Sequence, residues 1–289
     1  METRNPSELD RRTLLKGAAA GVVGAGVTGA ALMEAPEARA EDKGALKDEK
    51  ITAEVVTFPN GVDTINGFLA RPKDGKKHGA VILIPGIFGV TDYMKETTAQ
   101  VAQAGLVGLC VNFYSRKGDP PKTDDFTVLR TFVTENAPDR QIVGDGQAAI
   151  DYLKKQGYVN GKYGVTGFCM GGRITLLLAE QSPDIVAAAP FYGPIRAMGP
   201  ANVSPMDGVE KIKGAVQGHY GANDMNPKPD DVRAFYAKLK ETNPHGEFFL
   251  YEGAGHGFHD YSRQASYNKE AATQAWDRAL AFFQQHLGK

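Results

Sequence analysis

The sequence predicts an α/β fold: a single, mostly parallel sheet with helices on both faces. Three observations carry this. Short apolar runs such as Ala80-Val81-Ile82-Leu83-Ile84 alternate with segments of helical spacing, the order a parallel sheet with crossover helices requires. One run passes through a turn of the form Gly-x-Cys-x-Gly, Gly167 to Gly171, directly into a helical segment. No linker rich in Gly, Pro or Ser and no internal repeat divides the body of the chain.

The elements follow in order. Glu54-Val55-Val56-Thr57-Phe58 reads as a strand, Asn60-Gly61 as its turn, and residues 64–70 as its hairpin partner. Residues 80–84 form a buried strand closed by Pro85-Gly86. Residues 91–104 have helical spacing, and 106–112 are a second buried strand. The polar, proline-containing stretch 115–137 is open to two readings, a loop or a short helix over the sheet. A helix over 139–156, a strand over 162–167, a helix over 172–180 and a strand over 185–191 come next. Then follow a strand over 212–218, a helix over 230–240, a strand over 247–251 and a final helix over 265–287, with Trp276, Leu280 and Phe283 at inward-facing spacing.

Composition narrows the function class. With 289 residues, 42% hydrophobic and 23% charged, the chain can bury a full core, which excludes a disordered or collagen-like protein. Lys plus Arg is 33 against 34 for Asp plus Glu, so the net charge of -1 argues against nucleic acid as a partner. Two cysteines are too few for a disulfide framework or a cysteine-based zinc site.

Residues 1–40 read as an address. Arg11-Arg12 precedes an uncharged apolar run over 17–33, and Ala38-Arg39-Ala40 offers small residues around a cleavage point. The paired arginines with Leu15-Lys16 resemble a twin-arginine export signal. The run is only just long enough to span a bilayer, so the alternative is a retained anchor. The expectation is removal after Ala40 by way of the twin-arginine export machinery. The mature chain, 41–289, is then periplasmic or secreted from a bacterium, with no stable membrane association.

Chemistry gathers at three places. Cys169 occupies the centre of the strand–turn–helix elbow, where a sharp turn lifts a nucleophile above the sheet and the helix N-terminus favours thiolate. His256 lies on a glycine-flanked loop after the last strand, with His259 as the competing choice. Asp224, in Gly221-Ala222-Asn223-Asp224, can orient an imidazole. The chain order of nucleophile, acid and histidine is that of the α/β-hydrolase fold. An oxyanion hole there takes backbone N–H groups from Met170 and from the loop after the third strand, where Ile87 is the best candidate. Arg116 is a candidate for holding an anionic substrate, and Tyr114 and Tyr192 for lining its pocket. Cys110 reads as a buried thiol, and a Cys110–Cys169 disulfide would disable the nucleophile. His219 and His245 read as surface or loop residues. No metal and no cofactor is expected.

On the elbow Gly167-Phe168-Cys169-Met170-Gly171-Gly172, Gly221-Ala222-Asn223-Asp224 and Gly255-His256-Gly257-Phe258, the chain resembles the dienelactone hydrolase (carboxymethylenebutenolidase) family. Ile87-Phe88-Gly89 and Phe113-Tyr114-Ser115-Arg116 agree, and the resemblance covers 51–289. It implies a Cys–His–Asp triad that hydrolyses a small ester or lactone, with Arg116 near a substrate carboxylate. Two positions depart from the family: Gly86 stands where a glutamate is common, and Asp260 where well-known members carry arginine, with Arg263 nearby in another register. The alternatives are a general carboxylesterase or thioesterase on the same fold, or a non-catalytic binding protein that kept it.

Overall fold

Alternating side chains on a buried strand face opposite ways, and β3 shows what this does. Ile82 and Ile84 enter one core while Val81 and Leu83 enter another on the opposite face of the sheet. A computed structural model describes residues 44–197 and 203–288, within one compact unit, Pro36–Lys289. The unit Met1–Ala35 and with it the expected export signal lie outside the described residues. No helix among the described residues is long and apolar enough to cross a membrane.

The chain forms β1 (Ile51–Asn60), β2 (Asp63–Pro72), β3 (His78–Ile84), α1 (Asp92–Gln103), β4 (Val107–Asn112), α2 (Phe126–Asn136), α3 (Asp139–Leu153) and β5 (Val159–Phe168). It continues with α4 (Met170–Gln181), β6 (Ile185–Phe191), β7 (Ala215–Gly221), α5 (Pro229–Lys240), β8 (Gly246–Tyr251) and α6 (Lys269–Leu287). The eight strands make one sheet in the order β1-β2-β4-β3-β5-β6-β7-β8. The β1–β2 hairpin and the β2–β4 pair are antiparallel, and every pair from β4 to β8 is parallel. Ile142 and Ile150 of α3, Ile174 and Leu177 of α4 and Phe235 of α5 fill one core. Met94 and Val101 of α1 with Trp276, Leu280 and Phe283 of α6 fill the other. The α/β-hydrolase fold with helices on both faces is therefore present, and β5, carrying the elbow, lies near the sheet centre.

One open reading is resolved, and several boundaries move, two of them with a visible cause. The stretch 115–137 contains α2, which Asp125 starts by accepting from the N–H groups of Thr127 and Val128 at 2.8 and 3.4 Å. The strand expected over 212–218 begins at Ala215 and runs to Gly221. Ile212 is buried but its N–H turns back to the carbonyl of Val209 at 3.3 Å, so a short turn takes the place of the first strand residues. The last helix starts at Lys269, because the Asn268 side chain accepts from the Ala271 N–H at 3.1 Å and caps it there.

Candidate active site

The elbow is built from backbone that tolerates no side chain. Cys169 has φ +58°, an uncommon conformation for a residue with a Cβ. Its N–H donates to the carbonyl of Phe191 on β6 at 3.1 Å, which ties the turn to the sheet. A Cβ on Gly171 would fall 2.6 Å from the carbonyl oxygen of Pro85, and one on Gly167 2.6 Å from the carbonyl carbon of Gly171. These two glycines let the end of β5 and the start of α4 pack against the end of β3. Cys169 then stands at the N-terminus of α4, where the helix dipole favours negative charge.

The acid and the histidine arrive from the next two parallel strands. The loop after β7 is fastened to the loop after β8 by the Asn223 N–H, which donates to the Ala254 carbonyl at 2.9 Å. Asp224 is buried, and one of its oxygens accepts from the Asn226 N–H at 2.8 Å. Its other oxygen accepts from Nδ1 of His256 at 3.0 Å. His256 also stands close enough to Cys169 for each to shift the other's proton affinity. The structure thus brings Cys169, His256 and Asp224 together.

The grouping separates the proton affinities of its members. Burial alone pushes the Cys169 thiol up, but the charge of His256, its hydrogen bond and the Met170 N–H outweigh burial and hold the thiol below its usual value. Burial alone pulls His256 down, yet Cys169 and the hydrogen bond to Asp224 raise it to about 10. The two shifts run in the directions that favour a thiolate–imidazolium pair. Gly86 lies against it: a Cβ there would sit 3.6 Å from the Cβ of Cys169. With no side chain at 86, activation of the thiol falls to His256 and the Met170 N–H.

Two cavities meet at Cys169 and His256, and both are also lined by Ile87 and Phe126. The first, of about 480 Å³, is walled by Phe88, Phe168, Tyr93 and Tyr192, with Asp124, Asp260 and Arg263 as charged groups. The second, of about 530 Å³, carries Met170, Arg130 and Arg173. Neither the Ile87 nor the Met170 N–H donates to a backbone carbonyl among the described residues. Among those residues no cluster of three or more His, Cys, Asp or Glu suits a metal ion.

Several expected site residues lie elsewhere. Arg116 lines neither cavity: its two terminal nitrogens each donate to an oxygen of buried Asp145 at 2.9 Å, and Nε donates to Asp63. Three of its five N–H groups are thus engaged by carboxylates of the fold, away from both cavities. Tyr114 also lies outside the cavities, fully buried, with its hydroxyl donating to the Ile87 carbonyl at 2.9 Å. That bond ties Tyr114 to the loop after β3. Tyr192 does line the first cavity, its ring centroid 5.2 Å from that of His256. His259 is excluded as the base: it is buried, shares a hydrogen bond with the Tyr93 hydroxyl, and is pushed down to about 3 by burial. His219 is buried too, its Nδ1 sharing a 2.9 Å hydrogen bond with the Tyr251 hydroxyl, so it is a core residue of β7 and not a surface one. Both cysteines are free, and burial pushes Cys110 up to about 12.

Comparison with known proteins assigns the chain to a family. The model of the dienelactone hydrolase family matches residues 65–287. The chain belongs to the dienelactone hydrolase family. It is 30% identical over 247 residues to a protein of Escherichia coli (strain K12) named "Putative carboxymethylenebutenolidase", covering 84% of this chain and 90% of that one. It is also 30% identical to a Bradyrhizobium protein named "Probable 2-oxo-3-(5-oxofuran-2-ylidene)propanoate lactonase", over 84% of this chain and 98% of the relative. A solved structure titled "Putative Dienelactone Hydrolase", from Klebsiella pneumoniae, superposes with a TM-score of 0.75 at 31% identity, over 81% of this chain and 99% of that one. As a dienelactone hydrolase family member, the chain is a hydrolase of the ester- and lactone-cleaving type.

Proposed function

We propose that the chain cleaves a small ester or lactone through a Cys169–His256–Asp224 triad. One observation carries the reading: Cys169 and His256 line the same two cavities, and Nδ1 of His256 lies 3.0 Å from buried Asp224. The Cys169 thiolate attacks the carbonyl carbon, a C–S bond forms, and the oxyanion takes the Ile87 and Met170 N–H groups. Collapse breaks the C–O bond, and His256 gives its Nε2 proton to the leaving alkoxide. In a lactone that alkoxide stays tethered. His256 then removes a proton from water, which attacks the thioester, and the thiolate departs with its bond electrons. Asp224 holds His256 in the required tautomer throughout.

The engaged state of Arg116 and the bare Gly86 favour, as a second reading, a general carboxylesterase or thioesterase over a strict dienelactone hydrolase. Hydrolysis of a dienelactone and of p-nitrophenyl acetate, measured beside Cys169→Ala, tests both. Turnover is expected to fall by ~10³-fold or more in the variant, and the ratio of the two substrates separates the readings. Turnover unchanged in Cys169→Ala overturns the triad.

The address at Arg11-Arg12 supports export through the twin-arginine machinery and a periplasmic or secreted mature chain. Fractionation of expressing cells is expected to place the shortened chain outside the cytoplasm. Arg11→Lys with Arg12→Lys retains it inside at full length; export of that variant at an unchanged rate overturns the assignment.

A further inference from the structure

The first cavity holds a carboxylate the triad does not use. Asp260 lines it together with Cys169 and His256. One carboxylate oxygen, Oδ1, accepts from the Ser262 N–H at 2.9 Å and from the Ser262 hydroxyl at 2.5 Å. The other, Oδ2, has no hydrogen-bond partner among the described residues, and Asp260 forms no ion pair among them. Arg263, three residues on, lines the same cavity but is engaged by other groups. Its guanidinium lies 4.4 Å from the Phe88 ring centroid and reaches Asp124 at 3.5 Å. Burial accordingly pushes Asp260 above the usual carboxylate range, with Ser262 and Arg263 only partly offsetting it. Its charge also acts on Tyr93 and Tyr192, which line the same cavity and are raised chiefly by burial.

A carboxylate with one oxygen free of hydrogen bonds and no ion pair among the described residues, in a half-enclosed, aromatic-walled cavity, has two consequences. It accepts a hydrogen bond from a substrate hydroxyl, and such a bond to a charged group is stronger than a neutral one. It also repels a second carboxylate, whose water would have to be stripped while Arg263, which lines the same cavity, is already drawn to Asp124. We propose that Asp260 is a specificity-determining residue that selects acyl groups or lactones bearing a hydroxyl and rejects anionic ones. The inference rests on the hydrolase reading above. The aromatic wall takes the carbon skeleton, and Asp260 takes the O–H.

Three esters with one leaving group test it: p-nitrophenyl butyrate, 3-hydroxybutyrate and hemisuccinate. The full chain is expected to favour 3-hydroxybutyrate over butyrate, and both over hemisuccinate, in kcat/KM. In Asp260→Leu the preference for the hydroxylated ester should fall about tenfold, and in Asp260→Arg hemisuccinate should become the preferred ester. Asp260→Asn keeps an oxygen for Ser262 and controls for folding, with a smaller change of the same sign. Preferences identical to the parent chain in the Leu and Arg variants, or a parent chain that takes hemisuccinate best, overturn the proposal. Its failure is distinct from failure of the triad. Binding of methyl 3-hydroxybutyrate in preference to monomethyl succinate by Cys169→Ala, read by NMR, needs no turnover, and the absence of that preference overturns the role of Asp260 alone.

Discussion

At the scale of single residues, Cys169 and His256 shift each other's protons in opposite directions, and the consequence is a pH profile. The thiol lies below its usual value and His256 lies at about 10, so the ion pair is favoured between the two. Alkylation follows the thiolate. Its rate with iodoacetamide should therefore persist as pH falls through the ordinary thiol range, and decline only at the depressed thiol value. His256→Asn removes both lowering contributions from the imidazole and leaves burial opposed by the Met170 N–H alone. The acid limb should then move up to or beyond the value of a free thiol. A limb at the same pH in both chains would show that His256 does not ionise the cysteine. The grouping of Cys169, His256 and Asp224 was legible in sequence because each sits in a local pattern: an elbow or a loop that directly follows a strand. The surroundings of Arg116 and Tyr114 were not legible, because their partners, Asp145 and the Ile87 carbonyl, are 29 and 27 residues away. No local pattern distinguishes an arginine that meets a substrate from one that meets a buried aspartate.

At the scale of elements, α2 is the piece least determined by its own sequence and most exposed to change. Leu129 is its one fully buried residue, while Phe126 and Val128 are exposed. An eleven-residue helix with so narrow an apolar seam gives a weak periodic signal, which explains why 115–137 was open to two readings. The strands of the parallel sheet were easy to find, because burial on both faces makes them continuous apolar runs. The start of β7 was misjudged for the same reason: Ile212 is apolar and buried, but in a turn. With little burial to hold it, α2 depends on its cap. Asp125→Ala should cost about 1 kcal/mol of local stability and raise hydrogen exchange across Phe126–Asn136. Because Phe126 lines both cavities, KM should rise more than kcat falls. Unchanged exchange in that helix would show that contacts other than the cap hold it.

At the scale of the whole molecule, the Arg116 network closes one edge of the fold. Buried Asp145 of α3 accepts from both terminal nitrogens of Arg116, just past β4, and from Asn60 of the hairpin at 2.7 Å. Arg116 also reaches Asp63 at the start of β2. A helix, a hairpin and the segment after a central strand thus share one carboxylate with no solvent exposure. Removing one partner of a buried pair costs more than the pair contributes, because the other charge stays behind without compensation. Arg116→Ala should therefore lower unfolding stability by ~3 kcal/mol, read as a shift in the urea midpoint. An Arg116→Ala, Asp145→Asn double variant should recover part of this, since the orphaned charge is gone. A substrate anchor would behave differently: its loss would raise KM for anionic esters and leave the urea midpoint in place. The geometry predicts the reverse, a large loss of stability with the ester preferences of the folded fraction unchanged. An unshifted midpoint accompanied by loss of anionic substrates would return Arg116 to the active site.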